Sequence, residues 1–157
     1  MIHSTIKQFY LANPVPNPIN ITLTQKQVVD GQRIDDETSS ANFRHFRNLL
    51  NRRLFGNAYK RRGRQLSMLV VREDGAWHRH HIHAIIEKPA SLTTEEFIAL
   101  VMECWGKTRF GYREHHFEEP ADKDRETGWI NYCFKKRTKG DFASSIDWAN
   151  STCFERR

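Results

Sequence analysis

Four segments of the chain alternate apolar and polar residues, and this period of two is typical of β-strands. They are residues 19–25 (INITLTQ), 66–73, 77–88 and 109–118. The dipeptide Asp74-Gly75 lies between the second and the third segment, where it favours a tight hairpin turn. We therefore expect these two segments to pair as antiparallel neighbours.

Three other segments repeat apolar residues every three or four positions, as amphipathic helices do. The first has an apolar stripe formed by Phe43, Phe46, Leu50 and Leu54. The second covers residues 92–105 and begins with the capping-box spacing of Thr93 and Glu96. The third, residues 122–136, begins with acidic and ends with basic residues, an order that suits the helix dipole.

The order β, α, β, β, α, β, α predicts an α+β fold, with a central antiparallel sheet flanked by helices. The 157 residues are enough for one domain. Because three of the five prolines fall at positions 14, 16 and 18, we expect residues 1–18 to be an extended lead-in to the first strand. Residues 57–65 are expected to form a loop.

The charge of the protein is concentrated in two places. The chain carries a formal net charge of +6, yet the stretch 44–64 alone holds eight basic residues and no acidic one. These eight are Arg44, Arg47, Arg52, Arg53, Lys60, Arg61, Arg62 and Arg64. A second acid-free cluster consists of Lys135, Lys136, Arg137 and Lys139. Two positive patches favour a polyanionic partner such as nucleic acid; the alternative is a solvated helix face and loop.

No apolar run approaches the ~18 residues that a membrane span needs, and the first residues lack the apolar core of a signal peptide. The three cysteines, an odd number, suit reduced thiols better than a disulfide framework. We therefore expect a cytoplasmic protein that does not contact a membrane.

A cluster of histidines is the first candidate for chemistry. On a strand, side chains two positions apart point to the same face, so His81 and His83 are neighbours while His78 and His80 face the other way. Two imidazoles at this spacing can bind one divalent ion together with a carboxylate from the adjoining hairpin arm, for which Glu73 is the nearest candidate. The alternative is an ordinary pair of surface histidines.

The second candidate lies on the third predicted helix. At 100° per residue, Ile130, Cys133 and Phe134 form the buried stripe, and Tyr132 shares the opposite side with basic residues. Neighbouring positive charge favours the phenolate form of a tyrosine, which is the nucleophilic form. The alternative is an ordinary amphipathic surface tyrosine.

Together these residues resemble the HUH endonucleases, specifically the single-tyrosine replication-initiator (Rep) proteins of rolling-circle replication. The strand Ile21-Thr22-Leu23-Thr24 resembles the first motif of that family, His81-Ile82-His83 its histidine motif, and Tyr132-Cys133-Phe134-Lys135 its YxxK motif. Each motif is short, but their order and their placement on strand, strand and helix make the combination fairly specific. The resemblance implies a nicking domain with a sheet related to the RNA-recognition, or ferredoxin-like, fold.

The resemblance also implies roles for particular residues. His81, His83 and Glu73 would bind Mn²⁺ or Mg²⁺, Tyr132 would attack a phosphate of single-stranded DNA, and Lys135 would help to neutralise that phosphate. The substrate would be single-stranded DNA at an origin or hairpin, with host replication proteins or a helicase supplied in trans.

Two other functions are compatible with parts of the sequence. One is a non-catalytic nucleic-acid-binding module of the RNA-recognition type, which would carry aromatic residues on its central strands. The other is a related Y1 transposase, which usually has glutamine where this chain has Lys135.

Overall fold

The four long strands form one antiparallel sheet in the computed structural model, which describes residues 2–75, 78–135 and 145–155. The strands are β1 (Pro18–Gln25), β4 (Met68–Gly75), β5 (His78–Glu87) and β6 (Gly111–Glu118). Two short strands, β2 (Val28–Val29) and β3 (Gln32–Arg33), form a separate hairpin. The expectation of an α+β protein with a central antiparallel sheet is confirmed at this level.

Five α-helices accompany the strands in the described parts of the chain. They are α1 (Ile2–Ala12), α2 (Asp36–Phe55), α3 (Asn57–Arg62), α4 (Thr94–Gly106) and α5 (Lys123–Lys135). The capping box predicted for α4 is present, because the Thr93 hydroxyl accepts from the Glu96 backbone N–H and the Glu96 carboxylate accepts from that of Thr93. A 3₁₀ turn, Thr152–Phe154, lies near the C-terminus.

The strand order in the sheet is β4-β5-β1-β6. The β4–β5 hairpin is therefore at one side, and β1 lies between β5 and β6. Helix α2 connects β1 to β4 across the position of β5, and α4 connects β5 to β6 across the position of β1. The histidine strand thus occupies a central position, with a neighbour on each side.

One face of the sheet is covered by α2 and α4. Their stripes, which include Phe43, Phe46 and Trp105, pack on the side chains of β1, β4 and β5 that point to that face. Phe43, Phe46 and Trp105 are fully buried, and both phenylalanine rings contact the indole ring. The main hydrophobic core therefore lies between this face and the two helices.

The opposite face has a smaller core that covers only part of it. Leu69, Val71 and Ile85 from the strands pack with Tyr10 of α1 and Ile130 of α5. Ile146, also in this core, pairs with Val71 as an isolated antiparallel bridge at the outer edge of β4. The adjacent segment continues along that edge, where the hydroxyls of Ser151 and Thr152 accept from the backbone N–H groups of β4.

The N-terminal expectation is wrong for residues 2–12, which form α1 and not an extended lead-in. The three prolines lie after this helix, so they do not break it. Ile6 and Tyr10, four positions apart, share a helix face that packs on the smaller core, and Tyr10 is buried.

The basic segment also differs from the expectation of a loop. Residues Asn57–Arg62 form α3, and Gly63 ends this helix in the left-handed conformation, with φ of 64°. Helix α2 begins earlier than its apolar stripe, because the Asp35 carboxylate accepts from the Thr38 backbone N–H at 2.7 Å and caps the first turn.

Among the described residues, none of the helices has both the length and the apolar character required to cross a membrane.

Candidate metal centre

Strand pairing brings Glu73, His81 and His83 together on the face opposite α2 and α4. Glu73 is the direct partner of His81 in the β4–β5 register, and Val71 is the partner of His83. Directly opposed residues of antiparallel strands point to the same face. The register therefore places the carboxylate beside the two imidazoles, and the hairpin arm supplies the residue that the sequence suggested.

The three side chains converge on a single point. Glu73 Oε2 lies 2.8 Å from His81 Nε2 and 2.6 Å from His83 Nε2. The candidate ligand atoms all lie within 4.8 Å of one another. The two imidazole rings are nearly perpendicular, with an interplanar angle of 86°. The geometry is that of three donors directed at one position, as metal sites require.

Thr22 is a fourth residue of this arrangement, and sequence reasoning assigned it no role. It is the direct partner of His83 in the β1–β5 register, and its Oγ1 lies 3.1 Å from His83 Nδ1. A hydrogen bond at Nδ1 fixes the ring orientation, and when Nδ1–H donates to the Thr22 hydroxyl, the Nε2 lone pair can bind a metal. Alternation on β1 was the available signal, since it places Thr22 on the face opposite the apolar Ile21 and Leu23.

The electrostatics of the cluster favour an ionised carboxylate. Hydrogen bonding of the Glu73 carboxylate to His81, and then to His83, holds its pKa well below the usual range, although partial burial acts in the opposite direction. The side chains of Glu73, His81 and His83 remain 22%, 20% and 12% exposed, so the site is accessible from solvent. An ionised carboxylate therefore lies beside two imidazole nitrogens, where it attracts a cation.

These residues fit a divalent metal ion. A ligand set of two imidazoles and one carboxylate binds first-row divalent ions and leaves coordination positions open for substrate oxygens or water. Mn²⁺ and Mg²⁺ favour oxygen ligands. The protein offers one carboxylate oxygen and two imidazole nitrogens, and the substrate and solvent would supply further oxygens.

Helix α5, which carries the tyrosine of the YxxK motif, packs on the same sheet face as the cluster. Its Ile130 is buried in the same core as Val71 and Ile85. Val71 is the direct partner of His83, and Ile85 lies two positions after His83 on β5. The backbone of Tyr132 and Lys135 belongs to α5. Their side chains, and the whole of residues 136–144 with Lys136, Arg137 and Lys139, lie outside the described residues.

Four of the eight basic residues of the stretch 44–64 lie on α2, which packs on the sheet face opposite the cluster: Arg44, Arg47, Arg52 and Arg53. Arg44 and Arg52 are exposed on α2, and Lys60, Arg61 and Arg62 are exposed on α3. Three of the eight contact other described residues: Arg47 donates to the Ala149 carbonyl, Arg53 pairs with Glu103 at 3.1 Å, and Arg64 lies over the Phe55 ring. Their binding to nucleic acid stays a prediction.

Comparison of the chain with protein-family models, with curated proteins and with solved structures finds no match.

Proposed function

We propose that this protein is a metal-dependent endonuclease and strand transferase that nicks single-stranded DNA. The observation that carries the proposal is the convergence of Glu73, His81 and His83 on one point of an accessible sheet face. Helix α5, to which Tyr132 belongs, packs on that same face, and this packing supports the proposal further.

We propose that the fold is the ferredoxin-like arrangement of the HUH nicking domains. The β-α-β-β-α-β order, the two crossover helices on one face and the strand order β4-β5-β1-β6 support this assignment. The relatives implied by the motifs are single-tyrosine initiators of rolling-circle replication.

In the proposed reaction, Tyr132 attacks the phosphorus of the scissile phosphodiester through its phenolic oxygen. The bond from phosphorus to the 3′-oxygen breaks, which leaves a 5′-phosphotyrosyl link and a free 3′-hydroxyl. The tyrosine proton passes to solvent, and the leaving oxygen acquires a proton. A divalent ion, when bound, would polarise the phosphate oxygens, and Lys135 would add positive charge there.

A binding module of the RNA-recognition type is the rival function, and the central strands give it no support. Such a module stacks bases on aromatic side chains of those strands. The described residues on the cluster face of β1 and β5 are Pro18, Asn20, Thr22, Thr24, His81, His83, Ile85 and Glu87. A pair of histidines beside a carboxylate serves metal binding better than it serves base stacking.

The test of the proposal is a search for the covalent adduct. The protein is incubated with a single-stranded oligonucleotide library and Mn²⁺, and the products are separated on a denaturing gel. The label is at the 3′ end, because the 5′-phosphotyrosyl link retains the fragment on the 3′ side of the cut. We expect a labelled protein band in Mn²⁺ and Mg²⁺, and none in EDTA.

The variant Tyr132→Phe is the matched control, since it removes only the nucleophilic oxygen. It should form no adduct while its affinity for DNA changes little. An adduct in the Phe variant would identify another nucleophile, and no adduct in wild-type protein under any metal condition would overturn the endonuclease. Lys135→Ala should still cleave, at a lower rate.

A further inference from the structure

Three aromatic side chains form an exposed patch beside the outer edge of β4. Phe9 belongs to α1. Trp148 and Phe154 belong to the C-terminal segment 145–155, which lies beside the outer edge of β4. The Phe154 ring centroid lies 5.6 Å from that of Phe9 and 5.1 Å from that of Trp148. Phe9 is 50% exposed and Trp148 is 49% exposed. We call these three residues the aromatic patch.

The aromatic patch borders the basic side of α2. Arg47 donates to the carbonyl of Ala149, the residue after Trp148, and Ser40 donates to Asp147, the residue before it. Arg44 lies one turn from both Ser40 and Arg47 on α2, so it shares their side of the helix, and it is exposed. Arg47 therefore contacts the segment that carries Trp148, and Arg44 lies on the same side of α2.

The aromatic patch is also close to the metal centre. Ile146 is the bridge partner of Val71, and Val71 is the direct partner of His83. Two strand spacings, roughly 10 Å, separate Ile146 from His83, and Trp148 follows two residues later. A chain that crosses the cluster face and leaves over the β4 edge would meet these rings.

From this combination we propose that the aromatic patch, with Arg44 and Arg47, is a stacking site for unpaired bases of single-stranded DNA. Exposed apolar surface of this kind marks interaction sites. Ring faces stack on bases, whereas guanidinium groups neutralise the phosphates between them. A polyanion with planar faces satisfies both features. The proposal rests on the proposed function, which supplies single-stranded DNA as the substrate.

The experiment measures the binding of Trp148→Ala to a fluorescent oligo(dT) of roughly 16 nucleotides, the upper end of a single-domain site. Fluorescence anisotropy should show affinity lower than wild type by about 5- to 150-fold, the usual effect of losing one stacking ring. Trp148→Phe, which keeps a ring, should recover most of it. Phe117→Ala is the matched control, because Phe117 is also an exposed aromatic residue, 40% exposed, but pairs with Ile21 on the other sheet face.

A second strand, of the same length but without bases, separates stacking from other causes. Wild-type protein and Trp148→Ala should bind this abasic strand equally well. Arg44→Gln should reduce the slope of log affinity against log salt by about 0.7, the value for one phosphate contact of a single strand. Trp148→Ala should leave that slope unchanged.

Three results would overturn the proposal. One is unchanged affinity of Trp148→Ala for oligo(dT), and another is an equal loss on the abasic strand. The third is a wild-type dimer, detected by light scattering, that Trp148→Ala converts to a monomer without a change in DNA binding; the patch would then bind a second copy of the chain. The adduct assay distinguishes failure of the stacking site from failure of the proposed endonuclease. At a DNA concentration that saturates Trp148→Ala, this variant should still form the Tyr132 adduct.

Discussion

The two faces of the sheet are built by the same strands, yet they have different chemistry. On one face, the strands bury apolar side chains beneath α2 and α4, and at the end of β1 the buried Gln25 accepts from Ser39 of α2. On the other face, the smaller core stops at Val71 and Ile85, and the next positions along the strands are the polar residues Glu73, His81 and His83. Because β-strands alternate, adjacent residues of β5 belong to these two different environments.

The two faces therefore separate the side chains that the fold requires from those that are available for a function. A residue of the covered face contributes hydrophobic burial, so its loss is a loss of stability. Partly exposed polar groups at the margin of the other face contribute little burial and remain available to ligands. The comparison predicts that substitutions on the two faces separate stability from metal binding.

The largest separation is expected between two neighbours on β5, His83 and Ile82. His83→Ala should reduce Mn²⁺ affinity by more than the ~10- to 100-fold that losing a ligand's hydrogen-bond partner costs, and should stop DNA cleavage, while stability changes little. Ile82→Ala, in the fully buried core, should lose about 2–5 kcal/mol of unfolding free energy and keep its Mn²⁺ affinity. Calorimetric titration and urea denaturation measure the two effects.

His80→Ala is the control for loss of an imidazole from the same strand. His80 has the parity of Ile82, and it lies near Asp35 at the start of α2, so its removal should leave Mn²⁺ binding almost unchanged. If His80→Ala and His83→Ala lost metal equally, the assignment of the metal centre to one face would be wrong.

A smaller effect is expected at Thr22, which contacts the metal centre only through His83. Thr22→Val keeps the shape of the side chain but removes the hydroxyl, so Mn²⁺ affinity should fall by roughly 10- to 100-fold. Thr22→Ser should restore it. The NMR shifts of the His83 ring nitrogens in the metal-free protein should show a changed tautomer ratio in Thr22→Val alone.

Thr24→Val is the matched control. Thr24 lies on β1, as Thr22 does, and is the direct partner of His81 on β5. Equal losses in Thr22→Val and Thr24→Val would indicate a general effect on β1, and would contradict a specific role for Thr22.

The elements that the sequence predicted well are those whose signal is local. Alternation and the capping box placed the long strands and α4, because both patterns depend on residues a few positions apart. The histidine pair followed from parity on a single strand. The proximity of Glu73 depended on the β4–β5 register, which a one-residue change in the hairpin would invert, and only the structure gives that register.

Other features depend on contacts between distant parts of the chain. Helix α1 is stabilised by burying Tyr10 against strand residues about sixty positions away. The segment around Ser151 covers the edge of β4 through side-chain hydroxyls, a pairing without a sequence period. The contact between Thr22 and His83 is also non-local. No pattern within a window of a few residues contains this information.

The smallest expected effect concerns the pH dependence of the metal-free protein. The histidines lower the pKa of Glu73 from its ordinary 4.5, so the unfolded chain binds a proton at this residue at a higher pH than the folded chain does. The stabilisation is therefore complete above about pH 4.5 and is lost as pH falls towards the lower, folded-state pKa. Because Glu73 is partly exposed, we expect this stabilisation to be about 1 kcal/mol of unfolding free energy or less.

Urea denaturation in EDTA should show that wild type is more stable than Glu73→Gln at pH 7, and this difference should disappear below pH 4.5. Glu114→Gln, at an exposed position of β6, should show a smaller gap at pH 7, whereas a Glu73→Gln gap that widened towards low pH would contradict the direction of the shift.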